Sequence, residues 1–492
     1  MLRFLSAAIL LAATSAHAQT TPSAVKTARL QTAKGPLDYT ATWSEIALKD
    51  ITGQPQATIS TTSYERSGVP SAKRPVVFVF AGGPGAASLT LNYGLFGPES
   101  RIVEGAPSFG EPVDTLPDGR VVPTRFAPNP DTLLDIADLV MVDTVGTGFS
   151  RELHPGGGQT FWSVQGDIDS SERAIRAWLS EHHRTGSPVY IAGESYGGFR
   201  TGFLAAALED LDVRGLILLS PGIDLTDIMR GDLGYAAYLP VMAVAAVEHG
   251  VVPARGRTIK QVYDDAQAFV ASDYVAALHQ GSALPAADRD RMAQRLSALI
   301  GLPAELIAKA NLRIESQAFL EQLVPGKVVG RLDGRAIDKA PDQPRDAGRD
   351  PAADDPALGL HGTNVRISRP VGDHLRAMGV KAPGDYVALT LDVNFRWDFR
   401  PLSPAWDANL ALDAMPAYAN FMAARPDAHI MIAAGYHDLA VPPAMAPYSF
   451  AHSTVSPDRV TFRYYDAGHT IFDDPAARKL LLIDIRHFIT GP

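Results

Sequence analysis

The sequence predicts an α/β fold: a mostly parallel central sheet with helices on both faces, capped by a helical insertion. Two observations carry this. Short continuous apolar runs recur along the chain, the pattern of strands buried on both faces. Helical stretches separate them, as strand–helix alternation requires.

Taken in order, Met1-Leu2-Arg3, the apolar stretch Phe4 to Ala13 and Ala16-His17-Ala18 read as a secretory signal cleaved after Ala18. Its apolar stretch falls short of the ~20 residues that span a bilayer, and no other window approaches that length. Residues 28–66 alternate enough to suggest an antiparallel edge of strands. Buried strands follow at Pro75 to Phe80, Ala137 to Val142, Val189 to Ala192 and Leu216 to Leu219, with a helix over Trp162 to His182 and another over Phe199 to Leu208. Beyond Ser220-Pro221-Gly222 the chain becomes Ala-rich and helix-like, over Gly234 to His249, Ile259 to His279, Ala286 to Ile300 and Ala304 to Ala310. Residues 339–358, rich in Pro, Asp and Ala, read as a loop or exposed arm. Strand signal returns at Tyr386 to Leu391, Ile430 to Ala433 and Val460 to Tyr465, before a closing helix from Ala476 to Phe488. The expected division is a signal over 1–18, a sheet core over 19–225, a mainly helical cap over 226–384 and the rest of the core over 385–492.

Composition excludes several classes. A formal charge of −10, with no run of Lys or Arg, argues against a nucleic-acid partner. The chain has no cysteine, so disulfides, thiol nucleophiles, thiolate metal sites and lipoprotein attachment all drop out. No metal-ligand spacing occurs and no cofactor is expected. The glycine loop Phe80-Ala81-Gly82-Gly83-Pro84-Gly85 lacks the Gly-Lys-Ser/Thr of a phosphate loop. Gly146-Thr147-Gly148 has Arg151 where a dinucleotide site needs its third glycine. The expectation is an exported protein, periplasmic or secreted, with no membrane span; the sequence is silent on its oligomeric state.

The chemistry is concentrated in Gly193-Glu194-Ser195-Tyr196-Gly197, between an apolar strand and a helix. Glycines on either side let the backbone turn tightly and lift the serine hydroxyl off the sheet edge. A serine needs a base, and the base needs a group to hold its tautomer. In such folds acid and histidine follow the serine in that order, each after a late strand. Asp438, after the strand His429 to Ala433, fits the acid, and His469, in Asp466-Ala467-Gly468-His469, fits the base. His437 as base and Asp466 as acid are adjacent rivals. The glycine loop after the first core strand can offer N–H groups to an oxyanion.

Together these segments resemble the serine carboxypeptidase family of the α/β-hydrolase fold, in its bacterial exported branch. The resemblance rests on Gly82-Gly83-Pro84-Gly85 with Gly97-Pro98, on Asp143-Thr144-Val145-Gly146-Thr147-Gly148-Phe149-Ser150, on the serine pentapeptide with Gly198, and on Asp438-Leu439-Ala440-Val441-Pro442 with Ala467-Gly468-His469. Gly330-Arg331-Leu332-Asp333 and Asn394-Phe395-Arg396-Trp397 carry it through the connecting regions. It implies that Ser195, Asp438 and His469 form a triad, that the N–H groups of Gly83 and Tyr196 form the oxyanion hole, and that Glu194 and Gly82 contact a peptide substrate. In the family an asparagine and two glutamates hold the free C-terminal carboxylate. Here Ala81 stands at the asparagine position, a gap-free count puts Leu95 at one glutamate position, and Glu194 keeps the other; the family's cysteine is Ala86. The expected activity is therefore a serine carboxypeptidase acting on peptides. A carboxylesterase or acyltransferase acting on a small ester is the alternative, and a catalytically inactive binding protein a third reading.

Overall fold

Nine strands form one sheet, and the order in which they pair sets the position of every candidate residue. The structure is a computed structural model and describes residues 23–226, 231–340, 350–399 and 412–491. The expected signal over 1–18 and the stretch 341–349 of the Pro/Asp-rich segment lie outside the described residues. The strands are β1 (Ser23–Thr32), β2 (Gly35–Lys49), β3 (Pro55–Arg66), β4 (Val76–Phe80), β5 (Asp138–Asp143), β6 (Val189–Glu194), β7 (Val213–Leu219), β8 (His429–Gly435) and β9 (Val460–Tyr465). Their spatial order is β1-β2-β3-β5-β4-β6-β7-β8-β9. The first three are antiparallel, and β3 meets β5 antiparallel; from β5 to β9 every pairing is parallel. This is the α/β-hydrolase fold.

Strand β4 shows why the runs read as continuous. Val76, Phe78 and Phe80 enter the core on one face, with Trp178 and Ile175 of helix α1 (Val164–Glu181) and Phe199 and Leu204 of helix α2 (Tyr196–Ala207). Val77 and Val79 enter the opposite core, with Leu481, Leu482 and Ile485 of the closing helix Pro475–Thr490. A strand buried on both faces has no polar side to alternate with. Parallel pairing brings Phe80, Glu194, Leu219, Gly435 and Tyr465 to the carboxyl edge of the sheet, where such folds bind ligands.

Between β7 and β8 the helices Asp232–Glu248, Ile259–Phe269, Ala286–Ile300, Ala304–Lys309 and Ser316–Gln322 gather around their own apolar core. The helix expected over Ile259 to His279 forms, but passes through a π-turn at Val270–Tyr274. Tyr436 and Leu439, from the loop after β8, belong to that same core. The strand expected near 386–391 also forms, as Val387–Thr390, yet it stands outside the central sheet. It pairs with Val365–Ile367 and bridges to Ala86 and Gly148. Its residues satisfy a pleated edge, and strand patterning alone does not name a partner. No helix among the described residues is long and apolar enough to cross a membrane.

Candidate active site

Ser195 lies between the last residue of β6 and the first of α2, with φ 57° and ψ −122°. A non-glycine residue in this region is strained and persists only where its surroundings fix it. Here the Ser195 N–H donates to the Leu219 carbonyl at 2.9 Å, and the Ser195 carbonyl accepts from Gly198 at 2.8 Å and Gly222 at 3.0 Å. A methyl group on Gly193 would collide with the Gly197 carbonyl, and one on Gly197 would lie 2.9 Å from the Phe80 carbonyl oxygen. The two flanking glycines are thus demanded by close backbone approach.

The glycine loop after β4 presses on this turn. A methyl group on Gly82 would lie 2.6 Å from Ser195 Cβ and 2.8 Å from the Glu194 carbonyl oxygen. Gly83 has φ 104°. Two buried groups anchor the loop. Arg200 of α2 donates from Nη1 to the Ala81 carbonyl at 2.7 Å and from Nε to Asp167 of α1 at 2.6 Å. Asp143, at the end of β5, accepts from the Ser88 N–H and hydroxyl and from the Tyr386 hydroxyl. Burial lifts the Asp143 carboxyl despite those donors. The Asp143-to-Ser150 motif therefore braces the glycine loop through Ser88.

Asp438 follows β8 and is fully buried. Its Oδ1 accepts from Ala440 N–H at 2.8 Å and Val441 N–H at 2.9 Å, and its Oδ2 faces His469 Nδ1 at 2.7 Å. The Nδ1 proton directed at Asp438 leaves Nε2 of His469 free to accept. Burial disfavours charge on this imidazole, but Asp438 and, further away, Glu194 outweigh it and raise its pKa. The backbone is held as well: His469 N–H donates to the Leu332 carbonyl at 2.6 Å, and the Ser220 hydroxyl donates to the His469 carbonyl at 2.7 Å. The rivals pair with each other, His437 Nε2 to Asp466 Oδ1 at 2.7 Å. His437 is 1% exposed and Asp466 69%, and neither lines the cavity over Ser195.

That cavity, of about 240 Å³, is lined by Gly82, Gly83, Glu194, Ser195 and His469, with Asp438 one hydrogen bond behind. Tyr196 is not among its lining residues. Its ring packs against Phe199 and Trp397, and its backbone N–H opens α2, where amides have no partner within the helix. Glu194 is buried, its Oε1 has no hydrogen-bond partner among the described residues, and burial pushes its pKa up to about 8. Leu95 is fully buried in the apolar core with Phe96 and Leu133 and does not line the cavity. Five polar lining residues escaped sequence reasoning: Arg331, Asp350, Asn394, Thr470 and Glu111, the last ion-paired with Arg366. Only Arg331 and Asn394 lay within motifs already singled out. Among the described residues no cluster of His, Asp and Glu could hold a metal ion.

Residues 63–232 match the model of the serine carboxypeptidase family, a stretch that contains the glycine loop and Ser195 but not Asp438 or His469. No curated protein matches the chain. Among solved structures it is similar to a proline iminopeptidase from Mycobacterium smegmatis, at 13% identity over 88% of this chain and 96% of that one, TM-score 0.35. It is also similar to a lipase in an open form, at 13% identity over 91% and 98%, TM-score 0.38. A thioesterase domain from the curacin biosynthetic pathway aligns at 11% identity over 89% and 99%, TM-score 0.34. Over the segment 63–232, then, the chain is similar to the serine carboxypeptidase family.

Proposed function

We propose that this chain is a serine carboxypeptidase, releasing C-terminal residues from peptides through an acyl-enzyme on Ser195. The observation that carries the reading is the shared cavity: Ser195 on its strained turn and His469, held by Asp438 at 2.7 Å, line the same space. In the first half-reaction Ser195 Oγ attacks the scissile carbonyl while His469 Nε2 takes its proton. The tetrahedral oxyanion is met by the N–H groups of Gly83 and Tyr196. Collapse breaks the C–N bond, and His469 returns the proton to the leaving amine. A water, deprotonated by the same imidazole, then releases the acyl group. Asp438 holds the tautomer and stabilises the imidazolium. No step calls on a metal or a cofactor.

One observation favours a second reading on the same machinery. Leu332, Leu358, Leu389 and Leu391 give the cavity apolar walls, which suit the acyl chain of an ester. Two measurements test these readings. A fluorophosphonate probe labels the wild type at Ser195 and does not label Ser195→Ala; labelling elsewhere overturns the assignment. N-blocked dipeptides run beside simple esters then separate peptidase from esterase. Export belongs to the same proposal, and N-terminal sequencing of protein recovered outside the cytoplasm is expected to begin at Gln19.

A further inference from the structure

We propose that the guanidinium of Arg331 is the subsite for a substrate carboxylate, in place of the side chains that Ala81 and Leu95 do not supply. This deepens the hydrolase reading above and rests on it. The cavity over Ser195 needs hydrogen-bond donors if it is to take an anion out of water. Ala81 has a methyl group, and Leu95 is closed into the core. Glu111 reaches the cavity, but its carboxylate is engaged by Arg366. Glu194 offers a donor only while it is protonated. Asn394 and Thr470 can donate but carry no charge, whereas Arg331, another lining residue, presents a guanidinium with five N–H donors.

Its surroundings leave that fork unused. Among the described residues Arg331 Nε is buried without a hydrogen-bond partner, and the side chain makes no ion pair. Asp355 interacts with it electrostatically, but the Asp355 carboxylate accepts from the backbone N–H groups of Arg331 and Ala357 at 2.9 Å and 2.8 Å, and Asp350, which lines the same cavity, accepts from the Ala352 N–H at 2.8 Å. An unpartnered buried donor is costly, and a carboxylate matching the fork in two parallel hydrogen bonds removes the cost. The backbone is fixed on both sides. Arg331 N–H donates to Asp355, and the Arg331 carbonyl accepts from Leu439 N–H at 2.9 Å, one residue beyond Asp438. The guanidinium is therefore held in register with the catalytic loops before substrate arrives.

The carboxylate can come from the substrate's C-terminus or from an acidic side chain, and the experiment distinguishes them. N-blocked dipeptides are compared as free acid and amide, and with Glu or Gln at the penultimate position, for wild type, Arg331→Met and Arg331→Lys. A terminal carboxylate at Arg331 predicts that the acid-to-amide ratio of kcat/KM falls about 10- to 100-fold in Arg331→Met and partly recovers in Arg331→Lys, the range of a charge-assisted hydrogen bond. A side-chain source predicts the same fall in the Glu-to-Gln ratio instead. Both ratios unchanged overturns the subsite. A second measurement does not depend on how the variants fold: in the wild type an N-blocked amino acid should slow fluorophosphonate labelling of Ser195 more strongly than its amide. Equal protection also overturns the proposal. Absence of labelling at Ser195 sinks the hydrolase reading itself, which is a separate result.

Discussion

Arg200 and Asp167 meet at 2.6 Å with both side chains sealed from solvent, and the same guanidinium holds the Ala81 carbonyl. One ion pair thus ties α1, the helix that carries the elbow, and the glycine loop into a single unit. Burial raises the Asp167 carboxyl, and the Arg200 charge and hydrogen bond oppose that rise. Breaking such a pair leaves an uncompensated buried charge. Arg200→Met is expected to cost about 3–5 kcal/mol, and Arg200→Met with Asp167→Leu to cost less than the single change. Urea midpoints at constant m-value check this; a double variant less stable than the single would contradict it.

Gly82→Ala tests how closely the glycine loop must approach the elbow. The added methyl meets Ser195 Cβ and the Glu194 carbonyl, neither of which is the free end of a flexible side chain. The loop has to retreat, taking the Gly83 N–H with it. A loss of about 100-fold in kcat, with the melting transition nearly kept, is the expected outcome. Wild-type kcat in this variant would remove the loop from the oxyanion site.

Ser195→Ala and His469→Ala should each abolish nearly all turnover, and the double variant should be little worse than either. The acid position gives a sharper comparison. Asp438→Asn replaces the acceptor that faces His469 Nδ1, so kcat should fall about 10⁴-fold. Asp466→Asn perturbs an exposed group bound to His437, which lowers its pKa, and should change kcat less than twofold. The reverse pattern would move the triad onto the rival pair.

Glu194 makes stability depend on pH. Its folded pKa of about 8 lies above the ordinary 4.5, so between those values the folded chain holds a proton that the unfolded chain has released. Stability therefore falls as pH rises from about 4.5 to about 8, by on the order of 1 kcal/mol per pH unit from this group. Buried Asp143, Asp167, Asp355 and Asp473 are also raised and add slopes of the same sign. Glu194→Gln should flatten the profile without abolishing its fall. Denaturation midpoints from pH 5 to 8 read this directly, and parallel wild-type and variant profiles would mean that Glu194 is ionised in the fold.

What was legible in the sequence follows from physics that is local. β4 to β8 are largely apolar on both faces, and the elbow needs its glycines in fixed places, so both could be found without coordinates. Ser195 and Glu194 came with the elbow, and Gly82 and Gly83 with the loop after β4. Asp438 and His469 needed only chain order, though the choice against Asp466 and His437 needed distances. Glu111 gave no signal, because it sits in an irregular loop with no period to read. Arg331 was visible within a motif, but its unused fork appears only once Asp355 is seen to be occupied elsewhere. The gap-free count to Leu95 named a position without showing that its side chain is shut into the core.

The hydrogen bonds from residues 331–334 to the loops of Asp438 and His469 bear on how this protein could be redesigned. Leu332 receives His469 N–H, Arg331 receives Leu439 N–H, and Gly334 N–H reaches the His437 carbonyl. The insertion is thus part of the frame that aims the imidazole, and Tyr436 and Leu439 sink into its core in return. It cannot be treated as a detachable module. Grafting a foreign cap between β7 and β8 to change specificity would have to reproduce a three-rung backbone ladder, and a minimal hydrolase made by deleting the insertion would lose the scaffold of its own base.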